Sequence, residues 1–69
     1  MRDRLVNERL KLLLHSSGMK QTELAARTGM KYQNIHRAIN GKRPIYADEL
    51  AQLAAALGTS AAALLGLEG

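Results

Sequence analysis

The twenty residues from Gln21 to Asn40, QTELAARTGMKYQNIHRAIN, constrain what this chain can fold into more than any other segment. They read as two short helices joined by a tight turn. Leu24 and Ala25 form the inner face of the first helix. Gly29 supplies the turn, because glycine reaches a left-handed backbone at the least cost. Ile35, Ala38 and Ile39, spaced i, i+3, i+4, form the inner face of the second helix. Its other face carries Tyr32, Gln33, His36, Arg37 and Asn40, five polar-tipped side chains on one exposed surface.

That layout is a helix-turn-helix whose second helix can enter a DNA major groove. The flanking sequence carries further marks: Gly18-Met-Lys-Gln-Thr-Glu-Leu-Ala, then Thr28-Gly-Met, Asn40-Gly-Lys-Arg-Pro, Leu53-Ala-Ala-Ala-Leu-Gly-Thr-Ser and Leu64-Leu65. In this order and spacing, residues from about 10 to 65 resemble the lambda-repressor/Cro-like helix-turn-helix family. The resemblance implies an all-α fold, a compact bundle of five short helices around the central helix-turn-helix.

Hydrophobic spacing gives the same count. Helix 1 is expected from about Asp3 to His15, with Val6, Leu10, Leu13 and Leu14 inward. Helix 2 follows over Gln21 to Thr28 and helix 3 over Tyr32 to Ile39. Gly41 fits a helix stop, and Pro44 keeps the chain extended. Helix 4 is expected from Tyr46 to Leu57, with Leu50, Leu53, Ala54 and Leu57 on one stripe. Gly58 stops it, and Ser60 can cap a short helix 5 over Ala61 to Leu65. Gly66 to Gly69 read as a frayed tail. No linker or repeat divides the chain, so residues 1–69 read as one domain. Neither Phe nor Trp is present, so the core is aliphatic.

Charge is unevenly spread. Residues 16–45 hold six Lys or Arg and one acid, whereas the rest holds four bases and five acids. A basic helix-turn-helix is an electrostatic footprint for nucleic acid. No apolar run approaches the roughly 20 residues of a membrane span, and no signal-peptide core opens the chain. With no cysteine and no such segments, a cytoplasmic protein is expected, with neither disulfides nor membrane contact. His15 and His36 stand apart, and no metal-ligand cluster, carboxylate pair or Ser/His/Asp set occurs. Neither an enzyme nor a cofactor is expected.

Two positions break local rules. Lys20 and Lys31 precede helices 2 and 3, where Ser, Thr, Asp or Asn would cap the orphan N–H groups. Lysine accepts no such bond, and its charge opposes the helix dipole. An anion would compensate, so both lysines are read as DNA contacts, Lys20 to phosphate and Lys31 among the base readers. Glu23 sits where a capping-box carboxylate belongs. Gln21 resembles the family's phosphate-binding glutamine. On helix 3, Gln33 can bond bidentately to adenine and Arg37, one turn later, to guanine. Tyr32 can reach a phosphate or pack on a thymine methyl, and His36 is a further possible contact. After helix 3, Asn40, Lys42 and Arg43 are suitable phosphate donors. Thr59, Leu64, Leu65 and Leu67 are the expected dimer contacts, because two recognition helices must face two half-sites.

The chain departs from the family at two places. Leu14 and Ile39 stand where many relatives carry an Arg–Glu pair, an exchange that preserves packing of helix 1 on the end of helix 3. Thr28 stands where relatives usually carry an apolar residue or Ala, which leaves the tightness of that turn open. The resemblance implies a sequence-specific regulator of transcription, a repressor of phage or bacterial type, bound as a homodimer to a palindromic operator in nucleoid DNA. The chain would be either a whole Cro-like protein or the DNA-binding part of a longer repressor. Two other readings are an antitoxin or phage transposition-type factor, and a protein-interaction module. The basic face speaks against the last.

Overall fold

The computed structural model describes residues 4–67, and side chains from Leu5 onward. Five helices follow in order: α1 (Arg4–Ser17), α2 (Gln21–Thr28), α3 (Tyr32–Ile39), α4 (Ala47–Ala56) and α5 (Ala61–Leu65). No strand occurs among the described residues. The expected start of helix 1 at Asp3 lies outside them, as do Glu68 and Gly69 of the tail. α1 runs two residues past the expected His15. Tyr46 and Leu57 flank α4 as its caps rather than lying inside it.

Every helix contributes one fully buried large side chain to a shared centre: Leu10, Leu24, Ile35, Leu53 and Leu64. Each such burial stabilises by about 1.5–3 kcal/mol. Leu14, Ala25, Ala38, Ile39 and Ala54 complete the cluster. Leu14 and Ile39 meet there as an apolar pair where α1 crosses the end of α3. Leu13, Leu50 and Leu57 are only half-buried at its edge. Leu64 was expected at a dimer surface. It is instead the knob with which α5 closes the core, and so is unavailable to a partner.

The helix-turn-helix contains a repeated joint. Ser17-Gly-Met-Lys20 leads into α2, and Thr28-Gly-Met-Lys31 leads into α3. In both, the hydroxyl donates back to a carbonyl of the helix just ended: Ser17 to Leu14 at 2.7 Å, Thr28 to Leu24 at 2.9 Å. In both, it accepts the amide of the methionine two residues on, at 3.1 and 3.2 Å. Gly18 and Gly29 lie in the left-handed region, at φ 73° and 75°. The methionines pack against the core edge. The Thr28 hydroxyl therefore closes the turn whose tightness the sequence left open.

The one buried polar side chain among the described residues is Asn7, 7% exposed. Its amide nitrogen donates to Ala38 O at 2.7 Å and to Arg43 O at 2.9 Å. One side chain of α1 thus holds both the end of α3 and the loop that follows. Sequence periodicity passes over it, because Asn at an inward position looks like an interruption of the apolar stripe.

The tail is docked as far as Leu67. Gly66 closes α5 in the left-handed region, and Leu67 N donates to Ala62 O at 2.9 Å. Arg9 lies over Gly66, where an added Cβ would sit 2.5 Å from its guanidinium carbon. The backbone calls for glycine at this position, whereas the Arg9 side chain could swing away from a Cβ.

Asn7→Ala should destabilise the domain by about 2 kcal/mol, since it strips one buried and one part-buried carbonyl of a donor at once. Urea unfolding would measure it, and a loss under about 0.5 kcal/mol would show that water replaces the amide.

Candidate nucleic-acid interface

α3 is strongly two-faced. Ile35, Ala38 and Ile39 are buried, while Tyr32, Gln33, His36 and Arg37 are exposed and Asn34 is half-buried. Gln33 and Arg37 make no side-chain hydrogen bond within the described chain. They lie four residues apart, about 6 Å along the axis, close to two base-pair steps. Lys31 sits at the N-terminal edge of this face, extended at φ −66°, ψ 140°, without a side-chain cap. Lys20 repeats this geometry before α2, at φ −83°, ψ 154°. Relative to Ser or Asp, each forgoes about 1 kcal/mol of capping. Glu23 does not supply the expected capping-box bond. It pairs with Arg27 at 2.8 Å on the open surface of α2, worth a few tenths of a kcal/mol, about 0.3–0.5.

A polar chain crosses the face. His36 Nδ1 lies 3.0 Å from Gln21 Oε1, and its Nε2 lies 3.3 Å from Asn40 Nδ2. An amide oxygen only accepts, so Nδ1 donates and Nε2 accepts. The Tyr32 ring stacks on the imidazole at 6.0 Å between centroids. His36 therefore orients its neighbours. The Gln21 amide keeps its NH₂ unbonded. Asn40 spends its NH₂ on His36, including a 2.9 Å bond to the His36 carbonyl, and keeps its oxygen. The expectation of Asn40 as a phosphate donor thus meets a side chain whose unbonded end is an acceptor.

The loop after α3 also departs from expectation. Gly41 N and Lys42 N turn inward to Ala38 O and Arg37 O, at 3.2 and 2.8 Å, so its amides are spent on closing the helix. Arg43 was expected on phosphate. Its guanidinium is instead clamped fork-to-fork on Glu49, at 2.8 and 2.7 Å, and donates to Pro44 O at 3.2 Å. The Tyr46 ring lies 5.2 Å from its central carbon. Glu49 also accepts the Tyr46 amide, which starts α4. Only a nearby acid six residues on marked this pairing in the sequence. Lys42 remains exposed, with no side-chain partner among the described residues.

Residues 9–69 match the model of the Cro/C1-type helix-turn-helix DNA-binding domain. The chain belongs to this family. It is a DNA-binding helix-turn-helix domain, with the all-α fold the family carries. No curated protein and no solved structure matches it.

In this Cro/C1-type domain the remaining expected contacts separate by burial. Lys20 is exposed and Gln21 half-buried beside His36. Of the expected dimer contacts, Thr59 and Leu65 are half-buried and Leu67 is 76% exposed. Among the described residues, no group of three or more His, Cys, Asp or Glu stands ready for a metal, and no helix is long and apolar enough to cross a membrane.

The Arg43 hydrogen bonds hold the Glu49 carboxyl below the usual carboxylate range, against an opposing push from burial; the same pairing raises Arg43. Because the folded-state value is lowered, the pair's stability is fully present above the unfolded Glu value near about 4.3 and fades as pH falls through the folded one. Glu49→Gln should cost about 1–2 kcal/mol at pH 7 and flatten the loss of stability below about pH 4. Melts of both proteins from pH 7 to pH 3 would test this. Parallel pH profiles would show that the pair contributes nothing.

Proposed function

We propose that this domain is a sequence-specific regulator of transcription, of repressor type, acting on bacterial or phage DNA in the nucleoid. α3 lies in the major groove, with Gln33 and Arg37 reading bases and Lys31 and Tyr32 at the edge of the same face. Lys20, Gln21 and Lys42 hold phosphates on either side, and His36 orients Gln21. One observation carries the reading: Gln33 and Arg37, side chains suited to base edges and unpaired within the described chain, project from one face of a packed helix flanked by unpaired lysines. Direct readout needs donors left free by the fold, and the buried side of α3 supplies the fixed platform.

Binding is as a homodimer on a palindrome, since one α3 spans one half-site. With Leu64 withdrawn into the core, the patch reduces to Thr59, Leu65 and Leu67. So small a surface predicts association on DNA rather than in free solution.

Arg37→Ala should cost about 1–3 kcal/mol on the best site, chosen by selection from random duplexes, and relax preference at one base pair. An equal loss on all sequences would make Arg37 a phosphate contact. Counting copies in the same titration tests the assembly. Two per palindrome, with mostly monomer in sedimentation at micromolar protein, is expected; one copy at saturation would end the dimer reading.

A further inference from the structure

An open cleft lies where α1 passes the start of α2. Its floor is apolar, made by Leu14, Met19 and Ile39, and its rim carries Lys11 and Lys20. No acidic side chain lines it; His15 is the remaining ionisable group on α1's side. Gln21 and Tyr32 form its far edge, so it opens directly onto the face of α3. A smaller recess beyond shares Lys11 and Ile39 and reaches Asn40 and Gly41. Glu8 lines that recess and not the first.

We infer that this cleft seats the sugar–phosphate strand of the duplex flanking the bases read by α3, with Lys11 as a phosphate contact. The inference rests on the DNA-binding reading above and extends it to α1, a helix that sequence reasoning gave only a packing role. Three observations support it. Lys11 is exposed and has neither an ion pair nor a hydrogen bond from its side chain within the described chain, although Glu8 lies one turn away. The cleft's charged rim is wholly basic, the complement of a phosphodiester. Its apolar floor suits the deoxyribose between two phosphates, which a site for a free anion would not need.

The loop chemistry favours the same track. With Arg43 clamped and Asn40 presenting an acceptor, Lys42 is the one basic side chain left in the loop after α3. The acid in the smaller recess fixes the limit of the track. A phosphate there would face Glu8, so the strand leaves the protein at Lys11 and does not continue toward Asn40.

The test is a salt series with the 69-residue protein and its Lys11→Gln variant, on both the selected duplex and a random one. The variant removes the charge and shortens the side chain by one atom while keeping it polar. Binding should weaken severalfold and to a similar extent on both duplexes. The slope of log K against log salt should become shallower by about 1. Thermal melts should coincide, because the side chain is exposed. A scan of single methylphosphonates along the flanking strand then locates the contact. At one position, neutralising the phosphate should weaken the parent but not the variant. An unchanged slope, or losses that add at every position, would overturn the assignment while leaving the α3 reading intact. Failure of the parent to bind any duplex would overturn both.

Discussion

The Asn7 amide fixes what the aliphatic core leaves free. Hydrophobic burial is non-directional, and a centre of four leucines and an isoleucine tolerates small slides of one helix on another. Two hydrogen bonds from α1, to Ala38 O and Arg43 O, remove that freedom where it matters. They set the end of α3 against α1 and fix the height at which the loop departs. The loop is then held from the other side, since Arg43 bonds Glu49 in the first turn of α4 and Glu49 accepts the amide of the cap residue Tyr46. A continuous polar path thus joins α1, α3, the loop and α4; α2 is tied to α3 by the Gln21–His36 bond and α5 to α1 by Arg9 on Leu64 O at 3.4 Å, beside their packing and the Ser17, Thr28 and Ser60 hydroxyls.

Much of this was legible beforehand, and the limits follow from the physics. The bounds of α2, α3 and α5 follow from residue type alone, because Gly29, Gly41 and Gly66 permit a backbone that side chains resist. The inner faces of α2 and α3 were readable because short amphipathic helices have one way to bury their apolar residues. Leu64 was misplaced because five residues are too few to define a face: periodicity cannot say which of Leu64 and Leu65 turns inward. Arg43 was misplaced because a basic loop looks the same whether its charges are free or paired, and its partner lies in the next helix. Asn7 was missed for the opposite reason, since its carbonyl partners are 31 and 36 residues away and leave no trace in composition.

The repeated Ser/Thr-Gly-Met-Lys joint was in plain view at residues 17–20 and 28–31. Its logic emerges only with the hydroxyl bonds. The hydroxyl ends one helix, the glycine reverses the chain, the methionine plugs the core edge and the lysine opens the next helix. A better cap at Lys20 or Lys31 would stabilise the free domain, so the fold does not call for lysine there. Both lysines instead stand beside donors that the fold leaves unbonded, the Gln21 NH₂ in one case and the Gln33 amide in the other. Local stability is forgone at the two helix starts nearest the proposed strand and groove contacts, where a phosphate would supply the missing acceptor.

The hydrogen bonds also divide the two flanks of α3 unequally. On the loop side the amides of Gly41 and Lys42 close the helix, Asn40 bonds His36 and Arg43 bonds Glu49. On the α2 side the Gln21 NH₂, Lys20 and Lys11 carry no internal bonds. His36 links the flanks and imposes the asymmetry, since a single imidazole donates to one amide and accepts from the other. Gln21 is thereby turned donor-outward and Asn40 acceptor-outward. A phosphodiester accepts hydrogen bonds and donates none, so of these two amides only the outward group of Gln21 complements one. The charge count in the sequence could not separate the two flanks, because Lys11, Lys20, Lys42 and Arg43 weigh equally in it. What separates them is which cations the fold has already paired.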